Sequence, residues 1–282
     1  MTGFINVNKA PGASSAKEVT AIKKLSGMSC GHMGTLDPLA TGVLPVAIGN
    51  AARLFEFFLD KRKVYRATFL FGTETDTLDT TGEVLRSGGR VPSLKELEAL
   101  LCEFTGQIEQ VPPKYSAKSI KGKRGYQLAR AGIEFELPPK KVNIYSIRLL
   151  GAVGENSYRF EIECGGGTYI RSIARDLGAK CSTVAVMSTL ERTKSGPFEI
   201  QNSVSTEALT PENFSSYIIP TENVIDLDCI YPSAVDAKKL FNGQSVECGY
   251  SDGTYKIYDA NGGFYGLAEV NNSFLKVRTK LC

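Results

Sequence analysis

Pro38 places the tightest single constraint on this chain, because it acts on the residue before it. In the run Gly31-His32-Met33-Gly34-Thr35-Leu36-Asp37-Pro38-Leu39-Ala40-Thr41-Gly42-Val43-Leu44, the proline ring disfavours the helical region for Asp37 and presses it toward an extended backbone. The carboxylate therefore leaves the chain in a defined direction. Its flank is apolar or neutral (Leu36, Pro38, Leu39, Ala40), an unusual setting for a group that prefers water. Gly31 and Gly34 permit a close backbone approach at the same turn. An isolated Asp-Pro reads as a turn whose acid caps a helix. So long a string around one acid points instead to a residue held for chemistry.

The pattern on either side is that of an α+β fold. Ser15-Ala16-Lys17-Glu18 fits a capping box that opens a helix with apolar Val19, Ile22 and Leu25, closed by Gly27. Residues 63–71 alternate, with Tyr65, Ala67, Phe69 and Phe71 on one face of a strand. Ser93-Leu94-Lys95-Glu96 opens a second boxed helix, and strands follow at about 142–150 and 157–164. Gly165-Gly166-Gly167 leads into a helix starting near Thr168, and Val184–Leu190 reads as another strand. Strands and helices without regular βαβ alternation predict a mixed, mainly antiparallel sheet with flanking helices over residues 1–225. From about Asp226 short strands and turns (Asn242-Gly243, Asp252-Gly253, Asn261-Gly262-Gly263) predict a small β-rich domain over 226–282.

Composition excludes several classes. At 282 residues, 42% hydrophobic and 22% charged, the chain is an ordinary soluble globular protein with no stretch of membrane-spanning length. Its seven cysteines are odd in number and lack a Cys-x-x-Cys pair, which predicts reduced thiols in a cytoplasmic protein and no zinc site. The acidic loop Glu74-Thr75-Asp76-Thr77-Leu78-Asp79 lacks EF-hand spacing. No metal and no cofactor are expected. A net charge of +3 is too small to identify a nucleic-acid partner, but its distribution is informative. Lys114, Lys118, Lys121, Lys123, Arg124 and Arg130 fall between residues 114 and 130 with no acid among them, interleaved with Tyr115 and Tyr126. The choice is between a solvated loop and a phosphate-tracking surface, and the missing counter-charge favours the second.

Five segments in order resemble the pseudouridine synthases that act on uridine 55 in the T loop of tRNA. They are the Asp37 run, Asn8-Lys9-Ala10-Pro11-Gly12, Lys63-Val64-Tyr65-Arg66-Ala67, Pro112-Pro113-Lys114-Tyr115-Ser116-Ala117-Lys118, and Gly167-Thr168-Tyr169-Ile170-Arg171-Ser172-Ile173. Ala10 stands where that family usually has proline. The resemblance covers residues 3 to about 192. It implies a catalytic domain with an RNA-contacting basic insertion at about 112–141, followed by a PUA-like RNA-binding domain; a packing subdomain that touches no RNA remains the alternative for the latter.

The resemblance also implies roles. Asp37 would be the essential carboxylate, whether it attacks the sugar, attacks the base or removes a sugar proton. Arg171, in the first turn of its helix, opposes the helix dipole by roughly 0.3–1 kcal/mol and needs a compensating acid. The family places it against Asp37, and a bidentate pair is expected. Tyr65, otherwise an ordinary core residue of its strand, would stack on the target uracil, and Leu190 would close the pocket. His32, the single histidine, would fill the space left by a flipped nucleotide. Lys9, Tyr169, Lys121, Lys123 and Arg124 are expected on the RNA-binding side. The implied partner is the tRNA T stem-loop, met by a monomer with no obligatory protein partner. A non-catalytic RNA-binding protein on the same fold is the alternative; it would have no need of Asp37, Tyr65 and Arg171 together.

Overall fold

The alternation over 63–71 becomes the middle strand of a ten-stranded sheet in the computed structural model, which describes residues 2–59, 61–116, 119–120, 123–125, 131, 133 and 135–281. Strand Lys63–Phe71 lies between Ser157–Cys164 and Ala185–Ser195, antiparallel to both. Lys140–Ala152 and Gly106–Gln110 extend the sheet on one side. Thr41–Ile48 and Gly3–Lys9 extend it on the other. Ala185–Ser195 meets Thr41–Ile48 in parallel, through the pairs Glu191↔Thr41 and Arg192↔Gly42. This makes the sheet mixed but mainly antiparallel, as the pattern predicts. That strand also runs past the expected end at Leu190, and the extension carries Arg192 into the sheet.

Gly42 is required at the parallel contact. Its φ is +94°, and a Cβ there would collide with the carbonyl oxygen of Arg192. Gly34 (φ +144°) also needs its freedom, with Arg192 Nη1 3.6 Å from where a Cβ would lie. Gly31 does not: it has no positive φ, and a Cβ would meet nothing within 4 Å.

The first helix, Ser15–Ser26, is capped by Ser14 and not by Ser15 as the box suggests; the Ser14 hydroxyl accepts from Lys17 N. Ser15 is thereby released for another use. Helix Leu94–Leu100 is capped by Ser93, as expected. Helix Ile170–Lys180 starts two residues after Thr168 and has no side-chain cap. Its Ile173, Ala174 and Leu177 are fully buried in the core formed with Phe69, Phe160 and Met187.

A second, five-stranded sheet in the order Cys229–Ile230, Gly253–Tyr258, Phe264–Asn271, Phe274–Lys280, Val246–Glu247 forms the C-terminal β-rich domain, with helix Ala234–Phe241 on it. Its last hairpin turns at Asn272 and Ser273, both with positive φ, which is the twist-matched hairpin geometry without glycine. Leu267 and Leu281 of this domain pack with Phe4, Phe58 and Phe198 of the first, so one apolar cluster joins the two. Among the described residues no helix is long and apolar enough to cross a membrane.

Candidate active site

The Gly34–Gly42 loop is pinned by three side chains from outside it and by one turn of its own. Ser15, freed from capping, uses its hydroxyl to donate to Leu36 O and accept from Leu36 N, both at 2.9 Å. Lys9 Nζ donates to the carbonyls of Ala10, Pro38 and Ala40 at 2.9, 3.1 and 2.5 Å. Arg192 donates through Nε to Val43 O (2.7 Å), through Nη2 to Gly34 O (3.0 Å) and through Nη1 to Thr35 O (3.5 Å). Ala40 N closes a turn on Asp37 O at 3.0 Å, with Pro38 as its first inner residue. Asp37 is thus held at both ends by backbone that cannot drift.

Arg171, 5% exposed, comes to this loop from the first turn of its helix. Its Nε lies 3.0 Å from Asp37 Oδ2. The pairing is single-point and not bidentate, because the rest of the fork is occupied. Nη1 donates to Thr77 O (2.8 Å) and lies 3.5 Å from Asp79 Oδ2, while Nη2 donates to Tyr115 O (3.0 Å). Asp79 is itself buried and held by the Thr77 and Thr81 hydroxyls and by Thr81 N. The acidic loop, whose spacing fits no EF-hand, therefore supplies a second carboxylate to the arginine. Burial pushes the Asp37 carboxyl above the usual carboxylate range, Arg171 opposes that, and the charge of Asp79 adds to the elevation.

Asp37 and Arg171 form a wall between two cavities. One, of about 230 Å³, is also lined by Tyr65, Leu190, Tyr169 and Arg192. The other, of about 470 Å³, is lined by His32, Ser14, Thr81 and Asp79. Tyr65 and Leu190 are both 7% exposed and reach the first cavity from adjacent strands. Tyr169 borders the same cavity, its backbone fixed by Gln110 through Tyr169 N to Oε1 (2.8 Å) and Nε2 to Tyr169 O (3.1 Å). His32 faces the second cavity; burial and then the charge of Arg192 hold its imidazole below its ordinary pKa, so it is neutral at pH 7. Its Nδ1 is buried with no hydrogen-bond partner among the described residues. The structure thus brings Asp37, Tyr65, Arg171, Leu190 and Tyr169 to one cavity and His32 to its neighbour.

Lys9 is placed elsewhere. It was expected on the RNA-binding side, yet it is fully buried, with its ammonium on three carbonyls, and braces the loop from behind. Lys121 lies outside the described residues. Lys123 and Arg124 form the short strand paired with Ser119–Ile120, and their side chains also lie outside the description. The segment does adjoin the site: a Cβ on the following Gly125 would sit 3.0 Å from Lys114 O, one residue before the carbonyl that holds Arg171. Asp79 and Arg192 are the site residues that sequence reasoning missed. Asp79 carried a signal, an Asp-Thr-Thr-Gly turn beside a buried strand; Arg192 carried none beyond its two-residue spacing from Leu190. Among the described residues no group of three or more His, Cys, Asp or Glu is placed to hold a metal ion.

The model of the TruB family pseudouridylate synthase N-terminal domain matches residues 18–170, and that of the pseudouridine synthase II TruB C-terminal domain matches residues 233–279. The tRNA pseudouridine synthase B of Caldanaerobacter subterraneus subsp. tengcongensis is 37% identical over 99% of this chain and 98% of its own length. The chain belongs to the TruB family of pseudouridylate synthases. A second TruB relative, the tRNA pseudouridine synthase B of Clostridium tetani, is 44% identical over 80% of this chain and 78% of its own length. In structure the chain resembles a chain of a Cbf5–Nop10–Gar1 complex, with a TM-score of 0.74 at 24% identity over 99% of this chain and 85% of the other. That likeness extends the shared fold across both sheets. As a TruB member, the chain is a tRNA pseudouridine synthase, an isomerase that reattaches uracil through carbon.

Proposed function

We infer that this enzyme isomerises uridine 55 in the T loop of tRNA, with Asp37 as the essential carboxylate, Arg171 as the cation that holds it and Tyr65 as the surface on which the target uracil stacks. The observation that carries the reading is the 3.0 Å contact between Arg171 Nε and Asp37 Oδ2 in the wall of a cavity of about 230 Å³ that Tyr65 and Leu190 also line. A half-buried carboxylate beside Leu36, Leu190 and Tyr65 is pushed toward taking up a proton, and the arginine that faces it favours the charged form. The target base is stacked inside a folded loop, so it must be flipped out, at a cost of a few kcal/mol offset by contacts between protein and RNA. The basic segment around residues 112–141 supplies those contacts to the T stem-loop, and His32 occupies the space the base leaves. The chain works as a cytoplasmic monomer without cofactor, metal or guide RNA.

The test is to incubate the purified chain alone, with chelator present, with unmodified tRNA and to map pseudouridine along the product. Modification at position 55, absent with Asp37→Asn at equal tRNA binding, is the expected result. Modification at another position would reject the target. Binding without product would leave the non-catalytic alternative standing.

A further inference from the structure

Arg192 is the largest fully buried side chain among the described residues, at 1% exposure, and no carboxylate of those residues forms an ion pair with it. A buried guanidinium with no acid is costly to maintain, and a sheet interior offers many cheaper residues. Three backbone carbonyls take part of its fork, those of Val43, Gly34 and Thr35. They explain why it does not destabilise the fold. They do not explain why an arginine, and not an apolar residue with a closed turn, stands there.

The register of the sheet supplies the reason. Arg192 and Tyr65 are direct partners across the antiparallel pair of strands, so their side chains leave the same face side by side. Leu190, two residues earlier, shares that face, and all three line the cavity beside Asp37. Arg192 stands beside Tyr65 at the cavity wall, and its charge acts on the Tyr65 hydroxyl. Arginine can only donate. A phenol oxygen that accepts from it must turn its own proton away, and the open direction is the cavity.

We propose that Arg192 is a positioning residue for the isomerisation: it donates to the Tyr65 oxygen and so fixes the phenolic proton toward the polar edge of the uracil, while the same fork holds the Gly34–Thr35 backbone that leads to Asp37. One guanidinium thus sets the stacking tyrosine and the carboxylate loop in a common frame. The proposal rests on Tyr65 being the residue that meets the base. The charged and titratable groups acting on the Tyr65 hydroxyl are Arg192, Cys164 and Asp37, and burial raises the phenol while Arg192 opposes the rise.

The experiment combines kinetics with a readout that needs no activity. Single-turnover rates and tRNA affinities are measured for Arg192→Lys, Tyr65→Phe and the double variant. Lysine is chosen for the kinetics because it retains the buried charge. Arg192→Lys should slow the native enzyme at least tenfold with tRNA affinity within threefold, since a single ammonium cannot span the carbonyls and the phenol. In the Tyr65→Phe background, which has no hydroxyl to orient, the same change should slow turnover several-fold less than in the native enzyme, because only the backbone contacts of the arginine are left to lose. Equal slowing in both backgrounds, or a loss confined to affinity, would overturn the proposal. In protein labelled with 3-fluorotyrosine, the Tyr65 fluorine resonance, assigned by its loss in Tyr65→Phe, should titrate at higher pH in Arg192→Met, or in Arg192→Lys should the methionine form not fold. An unmoved midpoint would overturn the contact itself. A Tyr65→Phe enzyme as fast as the native one would overturn the proposal, because the oriented phenolic proton would then do nothing, while a fully active Tyr65→Leu would instead sink the stacking role of Tyr65, a distinguishable failure.

Discussion

Asp79 stands behind Asp37 as a second carboxylate on the same guanidinium, at 3.5 Å from Nη1 where Asp37 lies 3.0 Å from Nε. The two acids differ in freedom. The Asp79 side chain is 6% exposed and tied to two threonines, whereas the Asp37 side chain is 34% exposed and faces the cavities. The buried acid neutralises the buried cation, which leaves the more exposed one open to the cavities for the proposed reaction. A lone buried ion would be strongly disfavoured, which is why removing one partner of such a group is costly.

Asp79→Asn should therefore slow turnover by about tenfold or more while tRNA affinity stays within a few-fold, because the amide keeps the threonine contacts but leaves the arginine short of one charge. Single-turnover rates at saturating enzyme, compared with filter-binding affinities, check this. A variant with native rates would reduce Asp79 to a turn residue.

The acid limb of the pH profile follows from the same cluster. Burial raises the Asp37 carboxyl above its ordinary range, so it takes up a proton at higher pH than a free aspartate would. With the carboxylate as the active form in the proposed reaction, the rate should fall as pH drops through that raised value. Asp79 is one of the causes of the rise. In Asp79→Asn the limb should move to lower pH, even though the plateau is lower. Rates measured from pH 4 to 8 on both proteins decide the direction; a limb that moves upward would show that Asp79 acts on Asp37 chiefly through the placement of Arg171.

Much of this arrangement was legible because it is local. Alternation gave the strand of Tyr65, since it is a short-range rule. The Ser15 capping reading was displaced by one residue because two adjacent serines satisfy the same pattern; only the distant Leu36 backbone decides which caps and which ties the loop. Arg192 was missed for a related reason. Its partners, Val43 and Tyr65, are more than a hundred residues away in sequence, and nothing in a strand distinguishes an arginine that faces solvent from one that crosses the core. Lys9 was placed on the RNA side by its motif, while its burial depends on carbonyls presented by Pro38 and Ala40.

Ser15 offers a test of the loop without touching its chemistry. Its hydroxyl makes both a donated and an accepted bond to Leu36, and it is buried. Ser15→Ala leaves Leu36 N and O without that partner and should destabilise the fold by about 2 kcal/mol, given roughly 0.5–1.5 kcal/mol per bond and the added cost of unsatisfied groups. Denaturant unfolding measures it. Ser14→Ala removes only the exposed helix cap and should cost about 1 kcal/mol. If the order of the two is reversed, the tie to Leu36 is not what holds the loop.

The basic segment is where affinity should be separable from choice of nucleotide. Lys123 and Arg124 belong to a hairpin whose next residue packs against Lys114, close to the carbonyl that orients Arg171, so the segment stands at the rim of the site. Phosphate contacts supply sequence-independent affinity, and releasing counterions makes that affinity depend on salt. Neutralising Lys121, Lys123 and Arg124 together should weaken tRNA binding and flatten the slope of log affinity against log salt by about 0.7–0.9 for each phosphate no longer neutralised. The modified position should not change, because the uridine is selected by the cavity and by the shape of the loop, and phosphates carry no base identity. Binding isotherms across a salt series and a pseudouridine map at raised enzyme concentration test both halves. An unchanged slope would mean that these cations are solvated and that the RNA lies on another face. A flattened slope with a shifted position of modification would mean that the segment reads the loop directly, and that positioning and selection are not divided between the rim and the cavity.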